Sequence, residues 1–526
     1  MQVDPAPVPT PSRRILLSPE SPFDLDHLVA SWDQLGRSKI PRLLHLANLS
    51  PSLAGPALTL ALASIKHLTL DLQLYEHTFH HYRRFIQAVE SGEEADPMAV
   101  QWLAGLREQG GAGEEKADRD WVDKARKDAQ SGQERLEVEL KGYSTNMIKE
   151  SIRMGHRDLA RHEYLTGDLQ AAVRSYTKSR EFCSTSQHVL EMCLGVIEVA
   201  LDLQNYAFVR NYISKALSAL DSTSTSASAA AKSKAAGAVN LPGMVAPAQD
   251  PVEAAKEKER KIVLERLTVA NGVAYLGQGM YEKAAGCFTD VGGEALVAGE
   301  AHFIPPTSVA LFSVLLSLAC YSRSQLRTRV LDNPNLRGFL DTEPWLRDIV
   351  RCFYENRFRE GLEGLMKYEA RFLLDLHLTP HYSTLLSLLS SRSLLTFLTP
   401  YSSLSLSRYA SAFGWPEPYL LASVTDLIKR GEMKARIDTV GRRVVQRKRG
   451  EQEERRKAFE GALRVGEEGV RKVRGAELRL KLLAADVVIK HSKSSSSAGG
   501  GGKGGGKQVV VNAATSEADG EVITVD

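Results

Sequence analysis

Three stretches of this chain repeat one pattern, and that pattern restricts the fold more than any other feature. In DLARHEYLTGDLQAAVRSYTKSREF (158–182), Leu159 and Tyr164 precede a Gly167-Asp168 turn, after which Ala171, Ala172 and Tyr176 follow at helical spacing. Large residues on the first helix, a glycine turn and small alanines that let the second helix approach describe a helical hairpin of the tetratricopeptide kind. A second hairpin places Leu201 before Gln204-Asn205, then Tyr206, Val209, Tyr212 and Ala216. The third, LTVANGVAYLGQGMYEKAAGCF (267–288), turns at Gly279, with Tyr275, Tyr281, Ala284, Ala285 and Phe288 in matching roles. Such hairpins cannot bury their apolar faces alone and stack into a solenoid.

The second turn lies 37 residues after the first (167 to 204) and the third 75 after the second (204 to 279), which leaves room for an insertion. Residues 221–239, DSTSTSASAAAKSKAAGAV, hold five serines, two threonines and seven alanines, too little apolar bulk to offset the entropy of ordering. The expectation is a flexible, low-complexity insertion over 221–255. Residues 1–24, with Pro5, Pro7, Pro9 and Pro11, and 491–526, with its Ser/Gly run, are expected to be disordered.

Between these, 25–220 reads as N-terminal helices and repeats, including a Leu/Ala-rich helix over 55–66 and an aromatic one over Tyr75–Val89, with a loop at 110–118. Residues 256–390 continue the helical repeats, with segments near 307–322, 344–356 and 358–378. The stretch TSVALFSVLLSLACY (307–321) has 15 residues and three serines, against the roughly 20 apolar residues of a membrane span, so it reads as a core helix. Over 391–449 the texture changes. Leu394–Leu398 form a short helix stopped by Pro400, and Leu406, Tyr409, Ala410 and Phe413 form a second ending at Gly414. Leu420–Ile428 form a third. Met433–Ile437 then alternates with the two-residue period of a strand, and Arg442–Arg447 returns after a turn. That order is a winged helix. Residues 450–490 read as one long helix with Phe459, Leu463, Val470 and Val473 on a stripe. The expected class is all-α with a small α+β part: a tetratricopeptide-like solenoid, a winged helix and a C-terminal helix.

Lys plus Arg number 67 and Asp plus Glu 64, so the net charge of +3 supplies no general drive toward nucleic acid or anionic membrane. Five scattered cysteines without C-x-x-C argue against disulfides or a zinc knuckle and for a reducing compartment. No signal peptide, H-E-x-x-H or G-x-S-x-G is present. His77 and His81 share a helix face but lack a third ligand, and read as surface or packing residues. GGKGGGK (501–507) fits a phosphate-loop pattern, yet Gln508 stands where Ser or Thr belongs and no strand precedes it. Catalytic, cofactor-binding and metal-ligating residues are therefore expected to be absent. Arg442, Arg443 and Arg447 on the wing are the one candidate for nucleic acid. The third helix, carrying Glu417 and Asp426 and no Arg or Lys before Lys429, opposes it.

A helical solenoid running into a winged helix is the layout of the PCI family, found in the proteasome lid, the signalosome and a translation initiation factor complex. The strings ELKGYSTNMIKESIRMGHRDLARHEYLTGDLQAAVRSYTKSREFC (139–183), FLLDLHLTPHYSTL (372–385) and GEMKARID (431–438) resemble the signalosome branch of that family. The resemblance implies a non-catalytic scaffold, in nucleus and cytoplasm, of the constitutive-photomorphogenesis (COP) signalosome. In that complex another, metalloprotease subunit removes a ubiquitin-like modifier from the cullins of cullin-RING ligases. It also implies that winged-helix edges pair between subunits through Arg436, Ile437, Arg442, Val444 and Val445. Phe459, Leu463, Val470, Val473, Leu478 and Leu482 would enter a shared helical bundle. The alternatives are the equivalent proteasome-lid subunit and a winged-helix nucleic-acid binder.

Overall fold

The computed structural model describes residues 25–92, 97–108, 118–235, 251–293, 303–446 and 451–485. Five helices come first: α1 (Leu25–Ala30), α2 (Lys39–Leu49), α3 (Pro51–Leu68), α4 (Leu72–Ser91) and α5 (Pro97–Glu108). Pro51 opens α3 at the position where its missing N–H costs nothing. The Asp71 carboxylate accepts from Leu74 N to cap α4, which stops at left-handed Gly92. Ile40, Leu58, Ile65, Tyr82, Phe85 and Leu103 form the core between them. Gly55 is required there, because a Cβ would lie 2.5 Å from the Trp102 ring.

The repeats occupy α6 (Arg119–Thr145), α7 (Lys149–Thr166), α8 (Leu169–Ser179), α9 (Ser186–Asp202), α10 (Tyr206–Ala235), α11 (Pro251–Gly277) and α12 (Tyr281–Thr289). All three hairpins turn where the sequence places them. Gly167 adopts φ 97° and Asp168 caps α8 through Ala171 N, while Gln204 and Gly279 adopt φ 56° and 73°. Ala172, Tyr176, Val209, Tyr212, Ala284, Ala285 and Phe288 are buried as expected. The insertion differs from the expectation of a flexible 221–255. α10 continues to Ala235 and α11 begins at Pro251, leaving 236–250 outside the described residues. The expected loop at 110–118 lies outside the described residues except Asp118, which caps α6 through Trp121 N. The expectations for 1–24 and 491–526 also lie outside them.

Next come α13 (Pro306–Cys320), α14 (Pro334–Leu340), α15 (Pro344–Tyr354), α16 (Phe358–Lys367) and α17 (Thr379–Leu398). α13 is buried from Thr307 to Ala319, and its serines are satisfied internally: Ser313 Oγ donates to Ala310 O, and Ser308 Oγ donates to Asp375 at 2.5 Å. No helix among the described residues is long and apolar enough to cross a membrane. α17 runs unbroken through the boundary expected at 390/391, since no glycine or proline interrupts HYSTLLSLLSSRSLLTFL. The repeats and the winged helix accordingly share one apolar core, from Ala160 to Val444.

The winged helix adds β1 (Ser403–Ser405), α18 (Leu406–Phe413), α19 (Glu417–Lys429), β2 (Ala435–Asp438) and β3 (Arg443–Gln446). Its sheet is antiparallel in the order β1-β3-β2, with Leu404 and Ile437 both opposite Val444. Pro416 caps α19 and Pro418 sits in its first turn, where proline is tolerated. A separate unit, Lys448–Asp526, contains α20 (Glu451–Ala484).

A polar junction ties the N-terminal helices to the rest of the first unit. Arg37 pairs with Asp71 at 2.6 Å and donates to Tyr164 O; Asp202 accepts from Ser38 Oγ at 3.0 Å and from Tyr164 Oη at 2.7 Å. His45 Nε2 lies 3.0 Å from Thr379 Oγ1, and Leu374 packs among Leu28, Trp32, Leu43 and Leu46. His377 belongs to this junction. Its Nδ1 is closed off from solvent, and desolvation with the adjacent Arg42 guanidinium pulls the imidazole down to about 4. An unfolded histidine titrates near ~6.5, so below that pH the unfolded chain binds more protons and the folded state loses stability as pH falls toward 4. Urea midpoints are expected to be lower at pH 5.0 than at 7.5, and the difference to shrink in His377→Gln.

Candidate subunit interface

Two backbone hydrogen bonds fix which way each wing strand faces. Leu406 N donates to Arg442 O and Gln446 N donates to Ser402 O, both at 2.9 Å. Even-numbered residues of β3 therefore turn their backbone groups toward β1, and Arg443 and Val445 turn theirs toward β2. By the register, Arg436 and Asp438 face β3, while Ala435 and Ile437 point their N–H and C=O outward on an unpaired edge. This corrects the expected assignment of Val444 and Val445 to a pairing edge. They lie in the middle strand, satisfied on both sides, because the three-residue strand β1 covers β3. A proline at Val444 would remove a donor aimed at β1 and break the wing itself.

Side chains divide by the same alternation. Val444, Leu404 and Ala435 are buried and Ile437 half-buried on the core face, whereas Arg436, Asp438, Arg443 and Val445 are exposed on the other. The turn joining β2 to β3 is held by the Asp438 carboxylate, which accepts from Val440 N and Gly441 N at 3.1 and 3.0 Å. Arg442 follows at φ 44°, its guanidinium 3.9 Å from Glu417 at the start of α19. The exposed residues of α19 include Tyr419, Leu421 and Asp426, with no base before Lys429. A phosphate backbone laid on that helix meets acid before it meets base.

On α20, successive residues advance by about 100°. Phe459, Leu463, Gly466, Val470 and Val473 fall on one stripe, and each of the four apolar side chains is at least 51% exposed. Leu480, also exposed, continues that stripe. Leu478 and Leu482 are exposed too, but lie roughly 100° and 140° round from Phe459. Leu478 nonetheless lines one groove with Phe459, Leu463 and Val470.

His77 and His81 meet at 3.2 Å between Nε2 atoms, and among the described residues no three His, Cys, Asp or Glu side chains converge as a metal ion would require. Burial pushes the Cys193 and Cys287 thiols up to about 11, which keeps them protonated and poorly nucleophilic.

Comparison with known proteins agrees with this geometry. The family model of the 26S proteasome subunit RPN7 matches residues 118–329, and the PCI domain model matches 365–448. COP9 signalosome complex subunit 1b of Drosophila melanogaster is 31% identical over 480 residues, spanning 86% of this chain and 84% of the fly protein. The chain belongs to the COP9 signalosome subunit 1 family. Subunit 1 of Arabidopsis thaliana is 30% identical over 477 residues, 90% of this chain and 92% of its own length. The 26S proteasome non-ATPase regulatory subunit 6 of rice is 24% identical over only 182 residues, 35% of this chain. The proteasome-lid alternative thus gives way to the signalosome family.

Proposed function

We propose that the chain is a non-catalytic scaffold subunit of the signalosome. Its winged-helix edge and its terminal helix hold neighbouring subunits in the assembly that removes a ubiquitin-like modifier from cullins, with the chemistry done on another chain. In this way it regulates cullin-RING ligases, in nucleus and cytoplasm. The observation that carries the reading is the match to subunit 1 relatives along nearly the whole chain. An open β2 edge and a long helix with an uncovered apolar stripe are what a subunit held by its neighbours presents. Co-purification with mass spectrometry tests it: recovery of other PCI-bearing subunits supports the scaffold, and recovery of none rejects it.

The edge has its own test. Ile437→Pro deletes an outward-facing donor and leaves the bonds to β3 in place, whereas Ile437→Ala removes the same packing but keeps the donor. If strand pairing joins subunits, the proline variant is expected to weaken association about tenfold relative to the alanine variant, as read by interferometry on the purified subunits. Equal affinities would rule out pairing through β2.

A further inference from the structure

A groove of about 760 Å³ runs along one face of α17, beside the end of α13. Leu388, Arg392, Leu395 and Thr396 form its floor, and Arg323 and Glu432 also line it. At about 100° per residue the four floor residues share one side of the helix. Leu388 is 40% exposed although it lies mid-helix.

Both guanidiniums already have partners, and Arg392 is held by hydrogen bonds. Arg392 Nη1 donates to the last carbonyls of α13, Ala319 O at 3.2 Å and Cys320 O, and the Arg323 guanidinium lies 4.9 Å from the centre of the Tyr354 ring. Among the described residues neither makes an ion pair with a carboxylate, though the Glu282 charge acts on Arg392, and Glu432 is the one acid among the lining residues. A guanidinium already held in place gives up little freedom on pairing with a carboxylate, so the site is prepared for acidic groups. Between the arginines the surface is aliphatic and hydroxyl-bearing. It lacks the aromatic platforms on which bases stack, and Glu432 opposes a phosphate backbone.

We propose that this groove receives an extended, acidic segment of another subunit, its carboxylates on Arg323 and Arg392 and an aliphatic side chain over Leu388 and Leu395. The inference rests on the reading of the chain as an assembly subunit and adds a docking surface separate from the wing edge and the terminal helix. To test it, p-benzoylphenylalanine replaces exposed Thr396 in the full chain, the complex is assembled and irradiated, and the cross-linked peptides are sequenced by mass spectrometry. The expected result is a cross-link to an acid-rich segment of another subunit. Its yield should fall at least fivefold in Arg323→Glu and stay within twofold in Arg323→Lys. A cross-link to nucleic acid, to this chain or to a segment lacking carboxylates would overturn the proposal, as would no cross-link in a complex that assembles. Failure of the unmodified chain to recover any other subunit would instead overturn the underlying scaffold reading, and this inference with it.

Discussion

Replacing Leu463 and Val470 together by aspartate is expected to abolish recovery of the chain with other subunits while leaving its own unfolding unchanged. Both side chains are about half exposed on α20, 51% and 53%, so in the lone chain the substitutions behave as surface changes, within roughly 0.5 kcal/mol each. In a bundle the exposed half of each side chain would be covered, worth roughly 1 kcal/mol each, and the replacement carboxylates would have to be buried without partners at several kcal/mol more. A loss of more than about 4 kcal/mol corresponds to roughly a thousandfold in affinity. Val465→Asp is the control. Val465 is 66% exposed but sits about 120° from the Phe459 stripe, so association should persist. Co-purification from cells and circular dichroism of the isolated chain read the two halves of the expectation. Retained assembly in the Leu463/Val470 variant would mean that the stripe is not an interface.

How far the sequence exposed this architecture depended on whether each element is specified locally. The first and third hairpins were legible because Gly167, Gly279 and the paired alanines after them encode the turn and the close approach within about twenty residues, and the second through Gln204-Asn205 and the spacing of Tyr206, Val209 and Tyr212. The hairpin of β2 and β3 was legible through the alternation of Ala435, Ile437 and Val444 with their polar neighbours. β1 was not, since Ser403-Leu404-Ser405 is too short to show a period and its pairing partner lies forty residues on. Missing it moved Val444 and Val445 from the middle of a sheet to its edge. The helical extension toward Ala235 was hidden because Ser and Thr, half of residues 222–235, are weak helix formers and mask the pattern. On α20 the stripe of Phe459, Leu463, Val470 and Val473 was legible because four residues at helical spacing show it locally.

The N-terminal junction left no trace in local pattern, because its partners come from distant parts of the chain, and it leads to the largest expected effect on stability. Arg37→Met is expected to destabilise the first unit by about 3–5 kcal/mol, as for other buried ion pairs that lose one partner. The Arg37 and Asp71 side chains are only 9% and 8% exposed, so removing the guanidinium strands a buried carboxylate and deprives Tyr164 O of its donor. Adding Asp71→Leu should recover much of the loss, since no uncompensated charge then remains. The recovery stops short of complete because Asp71 also caps α4, a contribution of about 1 kcal/mol. Urea unfolding followed by the fluorescence of Trp32 and Trp102 measures both variants. If single and double variants unfold alike, the charge pair is not what holds the junction. α2 carries His45 against Thr379 at the start of α17, so the same junction joins the N-terminal helices to that helix.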